Sequence, residues 1–155
     1  MKTLLCALAL TTAITAPAAV AAAPLTFKAT MQNYGGPGAY LALYVTDQSG
    51  AYQGTLWMAG GRSKYYRHLL GWMRASRGDL GQLRGITGAS VGSGRTLTIS
   101  FELKDAMLDA GYTLHIDAAV ENRRESPSDV VVPLTRENLG KAISGKRFIS
   151  KFIFE

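Results

Sequence analysis

Apolar and polar residues alternate with a period of two along Leu25-Thr-Phe-Lys-Ala-Thr-Met31, as in a strand with one face on a core and the other in water. The glycine-rich breaker Gly35-Gly36-Pro37-Gly38 follows. Ala39-Tyr-Leu-Ala-Leu-Tyr-Val45 is almost wholly apolar and rich in strand formers, which predicts a central strand. Asp47-Gln-Ser-Gly50 has turn chemistry, so Tyr52 to Met58 is expected to return as its hairpin partner. Past Gly60-Gly61 the period changes. Tyr65, Leu69, Trp72 and Met73 fall three or four apart, predicting a helix over Lys64 to Ala75 with Ser63 as its cap and Gly71 weakening its interior. After a Gly-rich stretch from Arg77 to Gly94, alternation resumes over Arg95 to Leu103, with Leu97, Ile99, Phe101 and Leu103 on one face. Asp105 to Ala110 reads as a short turn or helical step. Tyr112 to Val120, Val130 to Leu134 and Phe148 to Phe154 read as further strands. The expected fold is mainly β: an antiparallel two-sheet, immunoglobulin-like sandwich with one short helix.

The first residues do not belong to that pattern. A positive start at Lys2, an apolar run from Leu4 to Ile14 and small residues up to Ala23 compose a secretory signal peptide, expected over residues 1–22. The run is interrupted by Thr11, Thr12 and Thr15 and is too short for a spanning helix. Cleavage leaves one periplasmic domain over residues 23–155, peripheral to the membrane at most. Cys6, the one cysteine, lies within the signal, so the mature part has neither disulfide nor thiolate ligand. Without Lys2 the chain carries 16 basic against 11 acidic residues, a net charge of +5. Export argues against nucleic acid as the counterpart of that charge; an anionic membrane surface, a phosphate-bearing ligand or an acidic partner fits it, as does a solvated basic surface.

Candidate chemistry lies in the loop Gly85-Ile-Thr-Gly-Ala-Ser-Val-Gly-Ser-Gly94. Its glycines can turn backbone N–H groups toward phosphate, but a strand follows where a dinucleotide fingerprint needs a helix, and Ser144-Gly-Lys-Arg147 lacks the upstream glycine of a P-loop. Thr87-Gly88-Ala89-Ser90 resembles the flavinylation motif Asp-x-x-(Ser/Thr)-Gly-Ala-(Thr/Ser) of exported electron-transfer proteins. In those proteins a flavin transferase joins the phosphate of FMN to the last hydroxyl as a phosphoester. Small neighbours leave room for the transferase and its nucleotide, and Ser90 would be the acceptor. Arg84 stands where the motif has its acidic residue, and an ordinary turn before a strand is the plain structural alternative.

Four further stretches extend the resemblance: Tyr40-Leu-Ala-Leu-Tyr-Val-Thr-Asp47, Gly54-Thr-Leu-Trp57, Lys64-Tyr-Tyr-Arg-His-Leu-Leu-Gly-Trp72 and Glu121-Asn-Arg-Arg-Glu125. With them the chain resembles a family of predicted periplasmic proteins of unknown function, often encoded beside PepSY-type membrane reductases and flavin transferases. The resemblance implies a β-sandwich and a place in periplasmic redox or iron-acquisition systems. Ser126-Pro127 replaces the family's His-Gly, which removes that histidine from any metal or cofactor role here.

Trp57, Tyr65, Tyr66 and Trp72 cluster in sequence, and aromatic rings can stack on an isoalloxazine while Arg62 or Arg67 meets a phosphate. Trp57, Tyr65 and Trp72 therefore join Thr87, Gly88, Ala89 and Ser90 as candidate cofactor-binding residues, with core packing as the ordinary alternative for both tryptophans. His68 and His115 have no spacing that converges on a metal. No serine sits in a nucleophile elbow, and Asp105 and Asp109, one helical turn apart, suit a solvated turn better than an acid–base pair. Two functions are consistent with these residues. One is an electron-transfer accessory carrying covalent FMN and working with a PepSY-type membrane reductase. The other is a cofactor-free sandwich that binds a ligand or partner protein.

Overall fold

Where two-residue alternation is cleanest, the strands form as expected. The computed structural model describes residues 24–103 and 105–155, so the expected signal peptide lies outside the described residues. The strands are β1 (Leu25–Met31), β2 (Tyr40–Thr46), β3 (Tyr52–Ala59), β4 (Thr87–Gly88), β5 (Thr96–Phe101), β6 (Thr113–Ala119), β7 (Ser126–Pro133) and β8 (Ile149–Phe154). They compose a three-stranded sheet in the order β5-β1-β8 and a five-stranded sheet in the order β4-β3-β2-β6-β7. The protein is mainly β, a sandwich of two sheets. Its neighbouring strands run antiparallel except where the two-residue β4 pairs in parallel with β3.

The inner faces meet in a core where Phe27 packs edge-on against Phe101, Phe152 and Phe154 at 5.2–5.8 Å between ring centres. Leu41, Leu43 and Val45 of β2 point into this core from the larger sheet, beside Leu114 and Ile116 of β6. The other face of β2 is covered too. Ala42 and Tyr44 lie in a second cluster with Met58, Tyr66, Leu69 and Trp72. Burial on both faces is why β2 has no polar alternation to read.

The expected helix is two pieces, a 3-10 segment Ser63–His68 and an α-helix α1 (Leu70–Ser76), broken at Leu69 (φ −86°, ψ 74°). Ser63 makes no capping hydrogen bond; it lies inside the 3-10 segment. The cap comes from a distant strand. Asp117 of β6 is fully buried, and its Oδ2 accepts the Trp72 N–H at 2.7 Å in the first turn of α1. Gly71 makes that approach possible, because a Cβ there would stand 2.6 Å from Asp117 Oδ1 and 2.7 Å from the Tyr44 hydroxyl oxygen. The glycine that weakens the helix in isolation is what seats it on the sheet.

Opposite Asp117 the partner strand arches. Ile116 pairs with Val130 and Ala118 with Ser126, so Pro127, Ser128 and Asp129 face a single residue. Ser128, at φ 47°, donates its N–H to Asp117 Oδ1 at 2.7 Å. Asp129, 1% exposed, accepts from Ser126 Oγ at 2.6 Å and from the N–H groups of Arg147 and Ile149 at 2.8 Å each, fixing the entry into β8. These four backbone and hydroxyl bonds to buried charge are of the stronger kind. Asp117→Asn puts an amide donor opposite one of two buried N–H donors, and the expected loss of stability is about 2–4 kcal/mol. Urea denaturation measures it. A loss below about 1 kcal/mol would mean that neither N–H depends on the carboxylate.

Candidate functional site

Thr87 and Gly88 are held at the edge of the larger sheet by parallel pairing with Met58 and Ala59, and Gly60 N–H donates to the Gly88 carbonyl at 2.8 Å. Val91 is buried and exchanges both backbone bonds with Ala39, at 2.7 and 2.9 Å. Ala89 and Ser90 are the two residues between these anchors, and both are exposed. The strand pairing thus presents one hydroxyl on a short, doubly tethered span. Gly88 lies against the Trp57 indole, so closely that a Cβ would be 2.7 Å from Trp57 Cζ2. Trp57 Nε1 is buried there without a hydrogen-bond partner among the described residues. Gly38 similarly leaves room for Ser90, whose Oγ would be 2.7 Å from a Cβ at that position.

Ser90 lines a cleft of about 580 Å³. Its walls come from the β1–β2 connection, the start of β2, the 3-10 segment before α1, and the β6–β7 turn. Tyr40 and Tyr65 form an aromatic wall, their rings perpendicular (87°) at 5.6 Å. The Arg62 carbonyl accepts the Tyr65 N–H at 3.0 Å, and its guanidinium lines the cleft with no hydrogen bond or ion pair among the described residues. Arg123 is fixed: its Nη2 donates to the carbonyls of Tyr34 (3.0 Å) and Gly35 (3.2 Å), and its guanidinium lies 5.3 Å from the Tyr34 ring centre. His68 Nδ1 pairs with Glu125 Oε1 at 2.9 Å across the cleft wall. That hydrogen bond holds the Glu125 carboxyl below its ordinary range.

Of the residues expected at a cofactor site, Ser90 and Tyr65 line the cleft, while Thr87, Gly88 and Ala89 lead into it. Trp57 is half-buried beneath Gly88. Trp72 lies elsewhere, fully buried in the second core cluster with its Nε1 donating to Thr55 Oγ1 at 2.8 Å. The cleft's second aromatic is Tyr40. Its place in an apolar strand gave no sign of a site, nor did sequence spacing join Arg123 to Ser90. Asp109 accepts from Arg136 at 2.7 Å, which holds its carboxyl below the ordinary range; the Asp105 side chain lies outside the described residues. Among the described residues no three His, Cys, Asp or Glu side chains converge on a metal position.

His115 sits apart from the cleft, stacked on Tyr44 at 5.1 Å and within reach of Thr46 Oγ1 (3.0 Å) and Ser128 Oγ (3.2 Å). Burial pushes its pKa below the ordinary 6.5, with Asp117 opposing and Lys146 reinforcing the shift. Burial, with the Asp117 charge, pushes the Tyr44 hydroxyl up to about 12. The unfolded chain therefore takes up the imidazole proton before the folded one does. Stability falls as pH drops through 6.5 toward the lower folded value, and His115 contributes nothing to pH dependence above that window. Denaturation midpoints at about pH 7.5 and about pH 5.5 should differ less in His115→Gln than in the parent. An equal difference would contradict this assignment.

A family model for predicted periplasmic proteins (DUF2271) matches residues 22–151. Neither a curated protein nor a solved structure matches the chain. No helix among the described residues is long and apolar enough to cross a membrane. The match spans both sheets, the segment carrying Ser90 and every wall of the cleft, and on it the chain belongs to the DUF2271 family of predicted periplasmic proteins.

Proposed function

We propose that this periplasmic protein is an electron-transfer accessory that carries FMN covalently on Ser90. The observation that carries the reading is the presentation of Ser90: an exposed hydroxyl between two backbone anchors, flanked by Gly38 and Gly88 and opening on a cleft with guanidinium and tyrosine walls. A transferase must reach the acceptor oxygen with a bulky nucleotide, and small neighbours on an exposed edge satisfy that demand. In the attachment step the Ser90 oxygen forms a bond to phosphorus as the pyrophosphate of a flavin dinucleotide donor breaks. AMP leaves, and the hydroxyl proton passes to a base of the transferase. No electrons change hands.

The residues present fit the group. Arg62 and Arg123 supply positive charge beside the acceptor hydroxyl, and Tyr40 with Tyr65 offers apolar ring surface. When bound, flavin supplies one- and two-electron redox chemistry at its isoalloxazine ring. The protein's part is to tether, to orient and to set the local charge. A PepSY-type membrane reductase is the proposed electron donor, and a ferric complex fits as acceptor in an iron-acquisition setting.

Co-expression with a periplasmic flavin transferase, followed by intact-mass measurement, tests the reading. The expected product is heavier by one FMN less water, fluoresces on a denaturing gel, and is absent from Ser90→Ala. An unmodified mass alongside a transferase that modifies a known substrate would contradict it and leave a cofactor-free binding module.

A further inference from the structure

The cleft contains more than an acceptor hydroxyl requires. A phosphoester on Ser90 needs only an accessible oxygen, yet that oxygen opens on about 580 Å³ of concave surface, within the usual range for small-molecule sites. Two features make this surface selective. Arg62 is exposed beside the cleft without a carboxylate partner among the described residues; of the two carboxylates that line the cleft, Glu125 is engaged by His68 and Glu121 is exposed to solvent. Arg123 cannot drift, because two carbonyls and the Tyr34 ring fix its guanidinium. A pre-organised cation loses little entropy when it meets an anion. Opposite in character, Tyr40 and Tyr65 brace each other edge-on and present aromatic surface that does not need to reorganise.

We infer that the cleft is a non-covalent recognition site for an aromatic mononucleotide, in which Arg62 and the fixed Arg123 hold the phosphate and the Tyr40–Tyr65 wall holds the ring, independently of a bond to Ser90. This rests on the flavin reading for the identity of the ligand and deepens it. The protein itself contributes affinity for FMN, so the tethered ring has a seat to return to rather than swinging on a single bond. Arg62 and Tyr65 are positioning residues here; neither takes part in bond formation at Ser90.

The test uses Ser90→Ala protein, which cannot be modified, titrated with free FMN and separately with riboflavin, which has the ring but no phosphate. Quenching of flavin fluorescence is the readout. Saturable binding of both is expected, with FMN the tighter. Adding Arg62→Gln should weaken FMN by about tenfold and leave riboflavin unchanged, as loss of one charge-assisted contact predicts. Adding Tyr65→Ala should weaken both. Arg62 is exposed, so unchanged thermal unfolding of its variant is the control for folding. No saturable quenching, or equal losses for FMN and riboflavin in Arg62→Gln, would overturn the assignment. Neither outcome depends on covalent transfer, since the intact-mass measurement on the parent protein reports that separately.

Discussion

Between Ala118 and Ile116 the larger sheet gives up its regular pairing so that one carboxylate can be enclosed. The arch of Pro127, Ser128 and Asp129 closes over Asp117, which accepts from Ser128 on the same sheet and from Trp72 on the helix above it. Asp129, raised by the same arch, accepts from the backbone that leads into β8 of the opposite sheet. Two buried charges on adjacent strands therefore tie the helix to one face of the larger sheet and the smaller sheet to the other. Burying a carboxylate is costly unless every oxygen finds donors, and here backbone N–H groups supply them in fixed directions. Apolar packing would permit several helix placements; these hydrogen bonds admit one.

The cleft inherits its shape from that constraint. With α1 seated on Asp117, the 3-10 segment before it is placed, and with it Arg62, Tyr65 and His68. The β6–β7 turn begins at the end of the strand that carries Asp117 and supplies Arg123 and Glu125. Ser90 arrives from a third direction, along the sheet edge, held by Met58, Ala59 and Ala39. Three elements far apart in sequence meet around one hydroxyl, and each is rooted in the core by a buried side chain: Tyr66, Val120 and Val91. The cleft occupies the rim while the two clusters below it hold the frame.

How much of this was legible depended on range. β1, with strict alternation, is readable to the residue, and β5 nearly so, because each has one wet face. β2 is readable from its unbroken apolar run. The break at Leu69 is not readable from local spacing, and the α-helix that follows it is capped by a carboxylate 45 residues from Trp72. Asp117 resembles any polar residue in a strand, and the apolar run predicts a strand only from Val130, whereas β7 starts at Ser126 with Asp129 as a buried acceptor within it. β4 is two residues long and carries no pattern. For the site, the four letters Thr87 to Ser90 were visible, and so were Arg62 and Tyr65 as candidates. What the letters could not show is that Tyr40, Arg123 and Glu125 stand beside Ser90, because that neighbourhood is made by strand order.

The claim on which the account turns is that Ser90 receives the flavin, and a peptide-level measurement tests it most directly. Trypsin cuts after Arg84 and Arg95 and releases Gly85–Arg95, which contains Thr87, Ser90 and Ser93 as its hydroxyls. Fragmentation of that peptide, taken from protein matured in a periplasm with an active flavin transferase, should place the mass of FMN less water on Ser90. An unmodified peptide, or the added mass on Thr87 or Ser93, would contradict the account.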